Sequence, residues 1–390
     1  MKIFGPKRIY LDYASTTPVL PAVKKEMDRF FIDSFHNPSS IYKEGVEAKK
    51  FLENFRTKVA RIIGVSQRDI VFTASGTESI NLALLGIFEE SKKTINKPHI
   101  IISAIEHPAV KESAKEAVRR GAEVSIVPVD ASGLVSIDEI SKIIRPETVL
   151  VSVMLANNEI GVIEPVSRIS RMVHEYRKKN NSKFPYIHTD ASQAGNYIKI
   201  NLPALGVDLL TLDGSKIYGP KGVGVLVVRP DVSLSPIVFG GGQERGLRSG
   251  TENLAVIAGF TKAFELADLD RGKEVERLNK IKLYFIDRIK SSLPKATVNT
   301  PEENSLPNIV SVSMVGMLAE FVAIKLDLMG IMVSTGSSCG NVKGSGGTET
   351  VVALGQGELR DSTIRFSFGR STTKALVEKA LTSFIKIVEK

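Results

Sequence analysis

The feature that most constrains this chain is a repeated alternation between residues 99 and 190. Short apolar runs near 99–103, 123–128, 148–155 and 186–190 are separated by stretches near 108–120, 137–145 and 166–179 in which apolar residues recur every three or four positions. Runs this rich in Val, Ile and Leu have the composition of strands buried on both faces, and the intervening period is that of helices with one covered face. Strand, helix and strand in repeated order give a mostly parallel sheet covered by helices, because a parallel partner is reached only through a crossover. Further apolar runs at 207–212 and 223–228 read as two more strands of the same kind.

Ligands in such sheets sit beyond the carboxyl ends of the strands. Polar residues gather at those ends: Glu106 and His107 after the first run, Asn157, Asn158 and Glu159 after the third, and His188, Asp190 and Gln193 around the fourth. Lys216 lies just past the run 207–212, inside Asp213-Gly214-Ser215-Lys216-Ile217-Tyr218-Gly219-Pro220-Lys221-Gly222. A lysine at a strand end with turn residues after it stands where loops carry chemistry. A Schiff-base lysine with an aspartate for the ring nitrogen is the arrangement that pyridoxal phosphate requires, and Asp190 is the candidate partner. Earlier in the chain a strand over 69–73 runs through Ser75-Gly76-Thr77 into a helix. The free amides at that helix start, with Thr77, form a phosphate cradle. Ser75 with Glu78 three residues on also reads as a capping box, and both readings hold together.

The glycine-dense run from Gly240 to Thr251 lacks the strand and helix context of a dinucleotide site, and the spacing of a Walker loop is absent from the chain. The last hundred residues mix strands (308–313, 363–368) with helices (318–329, 373–389), as a smaller α+β domain would. The expected division is a large cofactor-binding domain at 16–255 and a small domain made of 1–15 with 256–390. Cys339 lies among glycine and serine in a loop of about 334–348. Such residues cannot pack a core, so the thiol has the profile of an exposed, reactive cysteine. Arg365 alternates with apolar neighbours on a predicted strand, as either a structural ion pair or a bidentate clamp for a carboxylate.

Composition narrows the classes further. Of 390 residues, 43% are apolar and 24% charged, which suits a large buried core. Lysine and arginine outnumber acids 52 to 43, for a net charge of +9, but the charges are scattered and the densest cluster, Arg177-Lys178-Lys179, is short. That pattern reads as solvated helix surface and not as a nucleic-acid site. A single cysteine excludes an intrachain disulfide, and the five histidines lack ligand spacing, so no metal site is expected. No apolar run approaches the roughly 20 residues of a membrane span, and the first residues lack a signal peptide's apolar core. A cytoplasmic protein that does not engage membranes is the expectation.

Taken together, these motifs resemble the cysteine desulfurases, the NifS/IscS-like group in the class V branch of the fold-type I pyridoxal phosphate enzymes. The resemblance runs nearly end to end. It includes Leu11-Asp12-Tyr13 through Pro18, Thr77-Glu78-Ser79, Glu106-His107, Asn157 through Gly161, His188 through Gln193, Lys216 through Gly222, Glu244 through Thr251, Gly336-Ser337-Ser338-Cys339 and Ile364 through Arg370. It implies that Lys216 carries pyridoxal 5'-phosphate, Asp190 pairs with the ring nitrogen and His107 stacks on the ring and assists catalysis. Asn157 and Gln193 would contact the phenolic oxygen. Gly76, Thr77, Asp213 and Ser215, with His188 or its neighbours, would lie at the phosphate end, and Thr251 would reach in from the other subunit of a homodimer. Arg365, with Asn157, would bind the carboxylate of the substrate L-cysteine. Cys339 would take the sulfur as a persulfide while L-alanine leaves, and would deliver it to an acceptor protein, a scaffold for iron-sulfur cluster assembly or a tRNA-thiolation protein. The alternatives are a selenocysteine lyase or other class V enzyme, and a non-catalytic binding protein on the same fold. One departure stands beside the lysine, where the family usually has Ser-Gly-His-Lys and this chain has Asp213-Gly214-Ser215-Lys216. A carboxylate at 213 should repel a phosphate dianion unless it is protonated, turned away or paired.

Overall fold

The alternation read from the sequence is realised as a seven-stranded sheet in a computed structural model that describes residues 8–335 and 348–389. The chain opens with β1 (Ile9–Tyr10), α1 (Pro21–Ile32), α2 (Lys43–Ile63), β2 (Ile70–Thr73) and α3 (Gly76–Ser91). The repeat continues as β3 (His99–Ser103), α4 (Pro108–Arg119), β4 (Glu123–Val127), α5 (Ile137–Ile143), β5 (Thr148–Ser152), α6 (Val166–Lys179) and β6 (Tyr186–Asp190). Next come α7 (Leu202–Leu205), β7 (Leu209–Asp213), β8 (Gly224–Val228) and the 39-residue α8 (Leu254–Ser292). The chain closes with β9 (Thr297–Val298), β10 (Ile309–Ser313), α9 (Ala319–Leu328), β11 (Ile331–Met332), α10 (Glu349–Ala353), β12 (Thr363–Ser367) and α11 (Lys374–Val388).

The large sheet has the order β2-β8-β7-β6-β5-β3-β4. Its pairs β3 with β4, β3 with β5, β5 with β6 and β6 with β7 are parallel, and β8 runs antiparallel to both of its neighbours. Every residue of β3, β5, β6 and β8 is buried, which is why β3, β5 and β8 read as largely apolar runs and not as an alternation, while β6 ends in the polar His188-Thr189-Asp190. One face packs on a core that includes Val59, Ile63, Ile169, Val173 and Phe260, and the other on Leu82, Leu85, Phe88, Val110 and Ala114. Because β6 and β7 are parallel neighbours with Asp190 opposite Thr211, both strands deliver their outgoing loops to the same end of the sheet.

A separate core forms around the antiparallel sheet β12-β10-β9, with Phe285, Phe366, Phe368 and Phe384 among its buried side chains. β1 joins this part of the molecule by pairing with β11 in parallel, Ile9 opposite Ile331. α8 serves both cores. Leu254, Ile257, Phe260 and Phe264 are buried in the first, and Leu278, Ile281, Phe285 and Ile289 in the second. A 39-residue helix spans about 58 Å at 1.5 Å per residue, enough to connect the two.

The expected capping box at α3 is only half formed. Ser75 accepts the Glu78 amide at 3.1 Å, but the Glu78 carboxylate turns to the Ala74 amide at 3.2 Å and to Arg248 at 2.7 Å. An ion pair to a neighbouring loop has won over the local reciprocal bond. The expected strand 148–155 stops at Ser152, although Val153 and Leu155 still donate to the carbonyls of His188 and Asp190 at 3.1 and 2.9 Å.

Candidate active site

Lys216 closes a single 3-10 turn, Gly214–Lys216, that β7 feeds directly. The turn folds back so tightly that a Cβ on Gly214 would lie 2.8 Å from the Pro220 carbonyl oxygen, so a side chain there is excluded. Tyr218 sits at φ +63, a region that bulky residues rarely adopt. Its amide donates to Thr17 Oγ1 at 2.7 Å and its hydroxyl accepts the Arg370 amide at 2.8 Å, so the strained residue is held from both sides. The lysine turn is thereby fixed to the N-terminal segment and to the residues after β12.

The Lys216 Nζ donates to the Ser15 carbonyl at 2.5 Å and to the Ala14 carbonyl at 3.1 Å. Gln193 Nε2 donates to the same Ala14 carbonyl at 2.9 Å. Arg365 reaches the same dipeptide from the other core, its Nη2 donating to Ser15 Oγ at 2.7 Å. Ala14-Ser15 is thus the piece on which lysine, glutamine and arginine meet. Sequence reasoning missed it because three of these four contacts use backbone oxygens, which leave no side-chain signature.

Asp190 ends β6 as a buried carboxylate and accepts the Ser192 amide at 2.9 Å. His107 caps α4, its Nδ1 accepting the Ala109 amide at 3.1 Å, which assigns the proton of the neutral ring to Nε2. Burial pushes the imidazole below its ordinary value; Asp190 opposes that, and Lys216 adds to it. A neutral ring is the form that can lie flat against an aromatic cofactor without a desolvated charge. Beside it Glu106 is fully enclosed and pushed up to about 8 by burial, with the Ser103 hydroxyl at 2.6 Å and the Met154 amide at 2.8 Å partly offsetting the shift. Its Oε2 has no partner among the described residues, and burial favours the protonated form.

At the other end of the site stands the start of α3. Gly76 donates its amide to Asp213 Oδ2 at 2.8 Å, and Ser215 gives both its amide and its hydroxyl to Asp213 Oδ1, at 2.7 and 2.6 Å. Ser215 therefore does not face outward as a phosphate donor, as expected; it is turned onto its neighbour. Thr77 is exposed on the first turn of α3. His188 departs from expectation too. It is fully buried between Ser152 Oγ at 2.8 Å and Thr211 Oγ1 at 3.0 Å, pushed down to about 3 by burial, and both ring nitrogens are engaged inside the sheet.

Asn157 is also fully buried. Its Oδ1 accepts the amides of Glu159 and Ile160, both at 2.8 Å, and its Nδ2 donates to the Ile105 carbonyl at 3.0 Å. The other amide hydrogen has only the Met154 sulfur, a weak acceptor at 3.5 Å. Thr251 is exposed at the end of the glycine-rich loop.

Arg365 is buried on β12, and the ion-pair reading holds: its Nη2 contacts Asp12 Oδ1 at 2.7 Å while Nη1 donates to the Asn158 carbonyl at 2.8 Å. Its Nε has no partner among the described residues, which leaves one donor of the guanidinium fork available. The Arg365 backbone bridges to Ser334, with the amide donating to the Ser334 carbonyl at 2.7 Å, and the Thr348 hydroxyl donates to the half-buried carboxyl of Glu159. The segment 334–348 thus begins against Arg365 and returns against Glu159. Cys339 lies outside the described residues.

The chemistry of this donor set fits pyridoxal phosphate. An amine, a strand-end carboxylate and a neutral imidazole converge beside a helix start where a Cβ on Gly76 would stand only 3.1 Å from Asp213 and 3.2 Å from Ser192 Oγ. Among the described residues no group of three or more His, Cys, Asp or Glu is arranged to hold a metal ion, and no helix is long and apolar enough to cross a membrane.

Fold and site define a class V aminotransferase architecture, and the model of the aminotransferase class-V family matches residues 9–380. The chain is 40% identical over 385 residues to the cysteine desulfurase IscS of Dictyoglomus turgidum, covering 98% of this chain and 95% of that one. A solved NifS-like protein superposes with a TM-score of 0.90 at 36% identity, covering 98% of this chain and 99% of the other. A structure of SspA in complex with cysteine superposes with a TM-score of 0.80 at 30% identity over 92% of this chain and 98% of that one. The chain belongs to the class V aminotransferases and, within them, to the cysteine desulfurases, a pyridoxal-phosphate-dependent family.

Proposed function

We propose that the chain converts L-cysteine to L-alanine with pyridoxal 5'-phosphate and takes the sulfur onto Cys339 as a persulfide. The observation that carries this reading is the meeting of Lys216 and Arg365 on Ser15, which sets an amine for the cofactor beside a cation for a substrate carboxylate. The names of the relatives support it, as does the capture of cysteine by SspA.

When bound, the cofactor supplies an electron sink at the substrate α-carbon. Lys216 Nζ holds it and, once released, carries the proton from that carbon. Asp190 keeps the ring nitrogen protonated, a charge-assisted bond worth about 1.5 to 3 kcal/mol. His107 would lie against the ring, while Gln193 and the weakly engaged hydrogen of Asn157 would serve the phenolic oxygen. Thr77 would serve the phosphate, with Gly76 and Ser215 at the same end but engaged by Asp213. Arg365 receives the substrate carboxylate on Nε, with Asn157 nearby. The Cys339 thiolate attacks the substrate sulfur. A sulfur-sulfur bond forms, the carbon-sulfur bond breaks, and its electron pair goes to the β-carbon, which takes a proton from solvent to become the methyl group of alanine.

Cys339 is five residues from Ser334, a contour of at most about 17 Å, and Ser334 is bridged to Arg365. That tether supports Cys339 as the sulfur acceptor. The acceptor is a scaffold for iron-sulfur cluster assembly or a tRNA-thiolation protein, in the cytoplasm. A homodimer would let Thr251 serve the partner's site, and the chain divides functionally into 16–255 and 1–15 with 256–390. The test is Cys339→Ala. The variant is expected to bind the cofactor and to change its visible band on addition of L-cysteine, yet to release no sulfide. Sulfide release at the parent rate would overturn the persulfide step.

A further inference from the structure

Within the proposed site, Asp213 is the residue that does not match its surroundings. Its carboxylate takes the first amide of α3 and both donors of Ser215, all within 2.8 Å. It also lies flush on the helix start, since a Cβ added to Gly76 would meet Asp213 Cβ and Oδ2 at 3.1 Å. The Gly76 amide and both Ser215 donors are therefore already engaged by an internal anion, and no space separates that anion from them. A phosphate seated here must displace the carboxylate or dock against it. Like charges this close disfavour each other's ionised forms. A carboxyl that keeps its proton changes from competitor to donor.

The charged groups around Asp213 do not remove the conflict. Lys216 shares its turn, and His107 approaches at the start of α4, where it is itself under the influence of Asp190, Lys216 and Lys111. The first turn of α3 brings a further acid, Glu78, whose own cation is Arg248 at 2.7 Å.

We propose that Asp213 makes the phosphate end of this site accept its ligand together with one proton, taken from water and shared between phosphate and carboxyl. This rests on the cofactor reading proposed for the site. The chain then holds pyridoxal phosphate more loosely above neutral pH than it would with a neutral residue at 213, and discriminates only weakly between pyridoxal phosphate and unphosphorylated pyridoxal.

The test uses the full-length protein freed of cofactor and titrated with pyridoxal phosphate or with pyridoxal between pH 6 and 8.5, following the visible band. The parent is compared with Asp213→Asn and Asp213→Ser. At pH 8 both variants are expected to bind pyridoxal phosphate at least tenfold more tightly than the parent, with pyridoxal changed by less than about twofold, and the gap is expected to close towards pH 6. Phosphorus NMR of the parent with bound cofactor is expected to give a resonance displaced from the dianion position and moving with pH. Equal or weaker binding of pyridoxal phosphate by both folded variants at pH 8 would overturn the proposal. So would a pH-independent dianion resonance in the parent, which needs no variant. A parent that forms a visible band with neither aldehyde would sink the cofactor reading itself.

Discussion

Glu244→Gln removes one charge from the most enclosed ion pair among the described residues, and its cost follows from the contacts. Arg56 and Glu244 have side chains 5% and 1% exposed, and they meet through two bonds of 2.8 Å. Glu244 Oε2 also accepts the Phe72 amide at 3.0 Å, and Arg56 Nη1 donates to the Ile70 carbonyl at 2.7 Å. The pair thus ties α2 to β2 and to the glycine-rich loop that ends at Thr251, where Glu244 and Arg245 hold positive φ values of 48 and 60. Glutamine keeps the shape but leaves a buried guanidinium without its counter-ion, a loss of about 3 to 5 kcal/mol. Glu53, 3.5 Å from Arg56 Nε and 45% exposed, compensates in part and moves the expectation to the lower end, about 3 kcal/mol, or roughly a hundredfold in the unfolding equilibrium. Replacing both members with apolar residues, Arg56→Met with Glu244→Leu, is expected to cost less than Glu244→Gln alone, because no charge is then stranded. Denaturant unfolding followed by far-ultraviolet circular dichroism, with an unchanged slope, measures both. A Glu244→Gln loss below about 1 kcal/mol, or a double variant worse than the single, would refute the electrostatic argument and point to loop geometry instead.

Three further outcomes are expected. Glu106 and Glu164 are both pushed up to about 8 by burial, so the folded chain binds more protons than the unfolded chain between about pH 4.5 and 8. Stability therefore falls as pH rises through that window, by about 1.4 kcal/mol per pH unit for each carboxyl. His188 and His99, pushed down to about 3 and about 4, act in the opposite sense below pH 6.5, so the decline should be clearest between pH 6.5 and 8. Urea midpoints over pH 5 to 8.5 check this; Glu106→Gln should lessen the slope, and stability rising towards pH 8 would contradict it. Arg365→Lys keeps a charge but loses the fork that spans Asp12, Ser15 and Asn158, and should raise the KM for L-cysteine about tenfold or more with a smaller change in kcat. Asp190→Asn should slow turnover by about tenfold to a hundredfold while Lys216 still takes up the cofactor, as single-turnover kinetics and the visible band would report separately.

The sheet was legible because strands buried on both faces must be apolar throughout, and the residues after them were legible because strand ends are where such sheets carry polar groups. The direction of β8 and the strand order have no local signature, so the adjacency of Asp190 and Lys216 could only be inferred from the family pattern. The same holds for the Ala14-Ser15 dipeptide, whose carbonyls hold the lysine. His188 shows the opposite hazard. A histidine two residues from Asp190 looked like a ligand of the phosphate, but it sits one repeat back from the strand end, between β5 and β7, where Ser152 and Thr211 satisfy it. Asp213 was legible as a departure, while the direction of its carboxylate, onto Gly76 and Ser215, depended on how closely β7 and α3 pack.

The central claim is that one site joins an amine, a ring-nitrogen acid and a carboxylate clamp to a sulfur-accepting thiol. The purified protein with pyridoxal phosphate, given L-cysteine and a reducing thiol, tests it most directly through the alanine and sulfide formed. Equal amounts of both, over many turnovers, are expected; formation of neither by a protein that carries the cofactor would contradict the account.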